Sequence, residues 1–454
     1  MVNSVVRSSL LRNPTVRHYA VAAAAQSSAS SGPETKVLAN KVIVAACDTN
    51  SPLAQVSIVF RAGSRNETYE TQGTAHYLRI AAGLSSSSFS AFAITRNIQQ
   101  LGGCVLTTLD RESIAYTLQI TRNHLTDVLK YFEAAVTKPV FKPWELTDEL
   151  QRVQYDLTCL SDTTLIVELL HKAAFRNGLG YSLFCPEHQI GKISPETLQH
   201  FFNTWCTTPR CAVVGTGVSL EELAALGSNL SIASAENANE ASKYCGGEIR
   251  KETNSSLTNV AIAVEGVSLK NEKDALACAV LQRASSGVPR VKWGSSSSPL
   301  YKELSSVAGT EPFGAQTFNA SYTDSGLFGV VLCSPPNISG SVSKHNSIRV
   351  TKAAKKWLKS LKLSDNDIAR GKNILKTEVW DAADNALCLL ENMQQQAVLK
   401  GEISSPASLV NNIDKLSASD VKAVADKLAK GKLSMASIGN LKTVPYLDEL
   451  KYMS

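Results

Sequence analysis

The pattern of hydrophobic and polar positions repeats along the chain. Apolar residues recur at helical spacing after two serines that can each cap a helix, Ser194 and Ser417. Pro195 takes the first helical position in the first copy, and Asp420 lies three residues after the serine in the second. A basic turn, a short apolar strand and a glycine follow in both copies. The pattern therefore predicts one helix–turn–strand unit twice, 223 residues apart.

Two further pairs of segments extend this repeat upstream. Residues 105–120 and 317–332 each alternate β-branched or aromatic residues with polar ones around a polar centre, which predicts strand, turn, strand. Residues 141–178 and 362–400 begin with similar sequences, and each predicts a long helix. A repeat of this size indicates a duplicated domain and not a solenoid. The predicted fold is α+β, with two homologous modules, each an antiparallel sheet packed against helices.

The repeat and the composition between its copies predict the domain boundaries. Residues 37–226 form the N-terminal module and residues 245–454 the C-terminal module. Residues 227–244 are small, polar and without strong periodicity, which is typical of a linker. Residues 1–19 form a leader, and residues 20–36 a flexible N-terminal segment. The alternative is a chance resemblance between generic α+β segments.

The leader has the composition of an organelle transit peptide. Arg7, Arg12 and Arg17 lie among Ser, Ala and Val, and the first acidic residue of the chain is Glu34. An arginine two residues before a tyrosine, followed by the small residue Ala20, resembles a mitochondrial processing site. The alternative is an uncleaved, disordered tail.

Composition narrows the function further. The chain is 44% hydrophobic and 19% charged, as in ordinary globular proteins, and no apolar run reaches the ~18–20 residues that cross a bilayer. Ten cysteines are scattered without a C-x-x-C, which favours buried free thiols over a disulfide framework. Without the three leader arginines, 43 basic and 40 acidic residues remain, a net charge of +3. This balance is too weak to indicate a nucleic-acid partner.

The segment GTAHYLRIAAG, residues 73–83, places His76, Arg79 and Ile80 on one helical face. In the inverted zinc-peptidase motif H-x-x-E-H, these positions hold a metal-binding His, a general-base Glu and a second metal-binding His. An arginine cannot accept a proton at neutral pH, and an isoleucine has no lone pair to donate. No two histidines of the chain are four residues apart. The sequence predicts no catalytic zinc site, and His76 is either a vestigial ligand or an ordinary helix histidine.

These features resemble the pitrilysin-like peptidases, the group that contains the mitochondrial processing peptidase. GTAHYLRIAAG aligns with their G-x-x-H-x-x-E-H helix, and they share the duplicated α+β modules joined by a linker. The resemblance implies a third ligand, a Glu on a later helix, where this chain has Gln154, or Asp156 if the register slips. It implies no catalytic residue and no metal, with degenerate motif positions His76, Arg79, Ile80 and Gln154.

Three other segments, CPEHQIGKIS, GVPRVKWGSSSSPLY and ASYTDSGLFGV, resemble the non-catalytic members that serve as core subunits of respiratory complex III, the cytochrome bc1 complex. The likeness covers nearly all of residues 37–454. It implies a scaffold without cofactors, peripheral on the matrix side of the mitochondrial inner membrane. The implied partners are core protein 1, cytochrome b, cytochrome c1 and the other complex III subunits, which also provide the membrane attachment.

An alternative within the family is the α-type subunit of the processing peptidase, which also lacks the zinc motif and binds presequences. That subunit has a long glycine-rich loop, whose backbone can approach a ligand closely. The comparable stretch here, residues 285–299, contains only Gly287 and Gly294 among bulky residues, which disfavours the alternative. Outside this loop, Arg111–Glu112 and Asp324 lie in predicted hairpin turns, where salt bridges or turn capping explain them.

The leader predicts a specific mature N-terminus. Because Arg7, Arg12 and Arg17 lie in a segment without acidic residues, we expect import into mitochondria and trimming near Ala20. N-terminal sequencing of the protein isolated from mitochondrial membranes measures this directly. An intact Met1 in that protein contradicts the prediction.

Overall fold

The computed structural model describes residues 32–286, 298–309, 312–335 and 346–452. The predicted leader lies outside them, as do Gly287 and Gly294. The described residues form eleven strands and sixteen α-helices, besides five short 3₁₀ helices. The strands are β1 (Glu34–Val37), β2 (Ile43–Cys47), β3 (Leu53–Phe60), β4 (Cys104–Leu109), β5 (Ile114–Thr121), β6 (Cys211–Thr216), β7 (Glu248–Glu252), β8 (Thr258–Glu265), β9 (Gly314–Ser321), β10 (Gly326–Ser334) and β11 (Leu433–Gly439). The helices are α1 (Thr74–Ile80), α2 (Ala91–Gln100), α3 (Leu125–Thr137), α4 (Pro143–Asp148), α5 (Leu150–Thr158), α6 (Asp162–Phe175), α7 (Pro195–Trp205), α8 (Leu220–Asn229), α9 (Glu272–Ser285), α10 (Pro299–Ala308), α11 (Asn346–Ser360), α12 (Asp365–Asp384), α13 (Ala386–Lys400), α14 (Pro406–Lys415), α15 (Ala418–Ala429) and α16 (Leu447–Tyr452).

Each half of the chain contains one mixed sheet. The first has the order β1-β2-β6-β3-β5-β4 and the second the order β7-β11-β8-β10-β9. The α+β class and the two-module organisation are therefore confirmed. The sheets are not wholly antiparallel as expected, because β2 pairs with β6 and β7 with β11 in parallel. In each pair nearly the whole module separates the two strands, which gives room for the crossover that a parallel pair requires.

The predicted helix–turn–strand repeat is present at both sites. Ser194 Oγ accepts a hydrogen bond from Thr197 N at 3.2 Å and begins α7, which leads into β6. Ser417 Oγ accepts one from Asp420 N at 3.2 Å, and the Asp420 carboxylate accepts one from Ser417 N at 3.0 Å. This capping box begins α15, which leads into β11. Since β6 and β11 occupy equivalent places in the two sheets, the modules are related by the repeat.

The two long helices predicted from the sequence are interrupted. Residues 141–178 form α4, α5 and α6, and residues 362–400 form α12 and α13. Ser161 Oγ accepts a hydrogen bond from Thr164 N at 3.2 Å, and Asn385 Oδ1 accepts one from Leu387 N at 3.0 Å. Both side chains satisfy first-turn amides, so each begins a new helix.

Because of these interruptions, α6 and α13 each pack against the sheet of the other module. Helix α6 packs on the second sheet and α13 on the first, while other helices of each module cover the opposite sheet face. Each sheet is therefore covered on both faces only when the two modules are together. The apolar contacts of α13 with the first sheet involve Leu390, Met393, Ala397, Ala45, Cys47, Ala212 and Val214. Those of α6 with the second sheet involve Ile166, Leu170, Ala174, Phe175, Ala261, Ala263, Leu327, Ala436 and Ile438.

Residues 230–247 form no helix or strand, but several of them are hydrogen-bonded to the two modules. Thr208 N donates to Ala233 O at 3.0 Å, and Asn237 Nδ2 donates to Thr204 O at 2.7 Å. Further on, Ser242 N donates to the Asp324 carboxylate at 2.7 Å. The segment is thus fastened first to the N-terminal module and then to the C-terminal one, so it is not a free tether.

The domain boundaries stay predictions, and two elements extend into the segments expected to be linker or flexible. Helix α8 continues to Asn229, and strand β1 begins at Glu34, within the segment expected to be flexible. Among the described residues, no helix is both long enough and apolar enough to cross a membrane.

The exchange of helices predicts that a mutation in the C-terminal half loosens the N-terminal sheet. Leu390→Ala in α13 should lower the free energy of unfolding by about 2–5 kcal/mol, because Leu390 is fully buried against the first sheet. Hydrogen exchange should become faster in β2 and β6. Gln395→Ala, an exposed position of the same helix, is the control and should change neither quantity. Unchanged exchange in β2 and β6 in the Leu390 variant contradicts the prediction.

Candidate functional site at the degenerate metal motif

A buried carboxyl group positions α1, the helix that carries the motif. Glu67 accepts hydrogen bonds from Gly73 N at 2.9 Å and from Ala75 N at 2.8 Å, which satisfies amides at the N-terminus of the helix. Burial raises the pKa of Glu67 to about 8 despite these bonds. Gly73 has φ 94°, and a Cβ there would lie 2.7 Å from the sulfur of Cys185. The residue before α1 must therefore be glycine. Its close contact with Cys185 and its bond to Glu67 fix the position of the helix.

His76 is a buried, neutral imidazole. Its Nδ1 accepts a hydrogen bond from Cys185 N at 3.2 Å, so the ring proton resides on Nε2. Nε2 lies 3.5 Å from Asp156 Oδ2. Burial, and then the charge of Arg79, lower the pKa of His76 to about 4. Neither nitrogen is available to a metal, because one accepts from the backbone and the other is protonated.

Arg79 forms an ion pair with the same carboxylate oxygen, Asp156 Oδ2, that faces His76. Both side chains are about three-quarters buried, with 25% and 27% of their surfaces exposed. Burial opposes ionisation of Asp156, but the Arg79 guanidinium outweighs it and holds the pKa of Asp156 below its usual range. The guanidinium thus supplies the positive charge that a metal ion would otherwise bring to this carboxylate.

The other two motif positions do not join this group. Ile80 is buried in the apolar core of the first module. Gln154 is exposed on α5, whereas Asp156, two residues on, faces α1. We therefore propose Asp156 in place of Gln154 at the third-ligand position, which is the slipped register considered above. Within the part of the chain that the structure describes, no three His, Cys, Asp or Glu side chains lie where they could hold a metal ion.

A cavity of about 620 Å³ adjoins Arg79. Its walls include Ile80 of α1, Phe92 of α2, Val105 of β4 and Arg152 of α5. Strand β4 is the edge strand of the first sheet, so the cavity opens beside an unshared sheet edge. A cavity therefore lies directly beside the degenerate motif.

A second polar cluster joins the two modules, and its central residue, Arg65, was not identified from the sequence. The Arg65 guanidinium contacts Glu112 Oε1 at 2.5 Å, Asp324 Oδ2 at 2.5 Å and Glu240 O at 2.7 Å. Glu112 also accepts a hydrogen bond from Thr323 N at 3.0 Å. The β4–β5 turn of one module therefore meets the β9–β10 turn of the other. The only signal in the sequence was a second arginine in the run FRAGSRNE.

The expectation that the turn residues form salt bridges is confirmed, but they connect elements that the sequence did not predict to meet. Arg111, which is fully buried, contacts Glu168 Oε1 of α6 at 2.5 Å. On the same helix, His171 Nε2 accepts a hydrogen bond from the Tyr322 hydroxyl at 2.8 Å. Burial, and then the nearby Arg111 charge, keep the pKa of His171 well below its usual value, so His171 is neutral. These contacts fix α6 between the two hairpin turns.

Comparison with known proteins identifies the family. Residues 42–187 match the family described as Insulinase (Peptidase family M16), and residues 192–375 match the Peptidase M16 inactive domain. The chain is 32% identical over 422 residues to human cytochrome b-c1 complex subunit 2, mitochondrial, with 91% of each protein covered. The chain belongs to peptidase family M16.

Other relatives also match this chain over most of their length. The mouse cytochrome b-c1 complex subunit 2 is 32% identical over 424 residues, with 91% of each protein covered. The probable mitochondrial-processing peptidase subunit alpha-1 of Arabidopsis thaliana is 25% identical over 425 residues, covering 91% of this chain and 83% of the relative. With Arg79 and Ile80 in the motif and a guanidinium paired to Asp156, the chain is a non-catalytic member of M16.

The position of Arg79 beside His76 predicts that Arg79 helps to keep the pKa of His76 low. Replacing Arg79 by Met should raise the pKa of His76 above about 4, because the repelling cation is lost and the Asp156 carboxylate stays. In the wild type the folded-state value lies below the unfolded value of 6.5, so stability falls as the pH drops from about 6.5 to about 4. The variant should lose part of this pH dependence. NMR titration of the ring and unfolding at several pH values measure both effects.

The control is Arg152→Met, which removes the same charge from an exposed position on α5 that lines the same cavity. It should leave the titration of His76 unchanged. An unaltered pKa of His76 in the Arg79 variant contradicts the electrostatic account of the site.

Proposed function

We propose that the chain is a non-catalytic core subunit of mitochondrial respiratory complex III, the ubiquinol–cytochrome c reductase, and supports assembly and stability of the complex. The observation that carries the proposal is the 32% identity to human cytochrome b-c1 complex subunit 2 over 91% of both proteins. The end-to-end match means that the relatives share the whole two-module design and not one domain of it.

Two features of the structure suit a scaffold. The degenerate motif holds an ion pair between Arg79 and Asp156, and in the part of the chain that the structure describes no three His, Cys, Asp or Glu side chains are placed to hold a metal ion. The modules are interlocked through α6, α13 and the Arg65 cluster, which keeps their outer surfaces in a fixed relation. A rigid two-module body of this kind can present the same surface to several partners at once.

The proposed partners are core protein 1, cytochrome b and cytochrome c1, together with the other subunits of complex III. We place the chain at the mitochondrial inner membrane on the matrix side, attached through those partners. The finding that no described helix can span a bilayer agrees with a peripheral position. The proposal needs no cofactor of the chain's own and no nucleic acid.

An alternative is the α-type, presequence-binding subunit of the processing peptidase. The 25% identity to the Arabidopsis subunit alpha-1 supports membership of the same broader group, and the cavity beside β4 offers space for a peptide. The lower identity and the glycine-poor sequence at residues 285–299 favour the complex III proposal.

Native purification tests the two proposals against each other. A tagged chain expressed in its own cells should co-purify from mild-detergent extracts of mitochondrial membranes with b- and c-type haem spectra. Depleting the chain should lower ubiquinol–cytochrome c reductase activity and the amount of assembled complex. Untagged membranes are the control. Recovery of a haem-free, zinc-dependent presequence peptidase activity instead would support the alternative and overturn the proposal.

A further inference from the structure

Arg61 and Arg210 of the N-terminal module are hydrogen-bonded to each other, and Arg210 also contacts residues 230–247. Arg61 N donates a hydrogen bond to Arg210 O at 2.8 Å, and the Arg210 guanidinium donates one back to Arg61 O. Among the described residues, neither forms an ion pair with an acidic side chain, whereas the buried Arg65 and Arg111 both do. Two adjacent, partly desolvated cations without an anion are energetically costly.

The environment of Arg210 shows this cost. Its Nη1 donates to Asn237 O at 2.7 Å and its Nη2 to Asn239 Oδ1 at 2.9 Å, both of which are neutral acceptors. The face of the guanidinium lies 4.9 Å from the ring centre of Trp205. Burial, and then the charge of Arg61, lower the pKa of Arg210 to about 10. None of these contacts brings a formal negative charge to Arg210.

Three segments that meet here, residues 61–64, residues 207–210 and the part of the connecting segment around Asn239, contain six buried side-chain polar atoms without a hydrogen-bond partner in the described part of the chain. Three are N–H groups, which can only donate, and three are hydroxyl groups, which can donate when an acceptor is present. These segments contact each other directly, and Asn239 is bonded to both Asn66 and Arg210. The six atoms are Arg61 Nε, Arg210 Nε, Asn239 Nδ2, Ser64 Oγ, Thr207 Oγ1 and Thr208 Oγ1.

We propose that this cluster binds a small inorganic anion, chloride or orthophosphate, between Arg61, Arg210 and Asn239. An anion accepts from the orphaned donors and also compensates the two guanidinium charges, whereas a water molecule satisfies hydrogen bonds but not charge. Guanidinium and hydroxyl groups together form a donor set suited to such an ion. The burial of Ser64, Thr207 and Thr208 excludes an extended ligand such as a peptide carboxylate.

The anion has a structural consequence for the connection between the modules. Asn237 and Asn239 belong to the segment 230–247, and both are held by Arg210. Neutralising the arginine pair strengthens the attachment of this segment to the N-terminal module. The anion site therefore helps to hold the connecting segment on the N-terminal module. This proposal does not depend on the proposed role in complex III.

Thermal unfolding of the full chain at constant ionic strength tests the site. Sodium chloride and sodium phosphate should each raise the midpoint by about 2–4 °C over sodium gluconate, whose anion is too large to enter. The same anions should slow protease cleavage within residues 230–247. Arg61→Met keeps the backbone bonds to Arg210 and should abolish the anion-specific part of both effects.

The matched control is Lys41→Met, which removes one positive charge from an exposed side chain paired with Glu236 of the same segment. It should keep the anion response, which separates specific binding from the general stabilising effect of phosphate. Equal anion responses in the wild type and the Arg61 variant overturn the proposal. Anomalous scattering from bromide-soaked wild-type crystals is independent of any variant's folding. A peak within hydrogen-bonding distance of both Nε atoms supports the site, and bromide at surface positions only refutes it.

Discussion

A β-sheet has two faces, and in this chain neither module covers both faces of its own sheet. The missing layer comes from the other module, as α6 on the second sheet and α13 on the first. This reciprocal burial of apolar surface is the constraint on which the remaining structure depends. It brings the two hairpin turns together, and the Arg65 cluster forms where they meet. It also places the connecting segment along the surface of both modules.

The degenerate motif is stable within this framework because the positive charge of Arg79 compensates the negative charge of Asp156. A carboxylate at Asp156 without a cation would be costly at its depth, and Arg79 supplies the cation from the neighbouring helix. His76 accepts a backbone hydrogen bond and remains neutral, so it adds no charge. His76 and Arg79 of α1 therefore meet Asp156 of α5 in an internal polar contact, and a cavity lies beside it.

The sequence predicted those features that depend on local chemistry. Ser194 and Ser417 begin helices because a serine followed by a polar first turn satisfies backbone amides wherever it occurs. The interruptions at Ser161 and Asn385 use the same chemistry, but the helical pattern continues across both, so only packing reveals them. The choice between Gln154 and Asp156 depends on the rotation of α5 against α1, which a sequence pattern locates only to within a turn. Arg65 was missed because its acidic partners are distant in the sequence: Glu112 lies in another element of the same module and Asp324 in the other module.

The exchanged helices also determine the order in which the protein can fold. When the chain is delivered with its N-terminus first, the first sheet is complete once β6 has formed at residue 216. One face of that sheet then stays bare until α13, at residues 386–400, has been made. Its closing contacts are long-range in sequence, and such topologies fold slowly and expose apolar surface meanwhile. Any process that delivers this chain gradually, at a ribosome or through a membrane pore, must therefore protect a half-covered sheet from the delivery of residue 216 until residues 386–400 have followed.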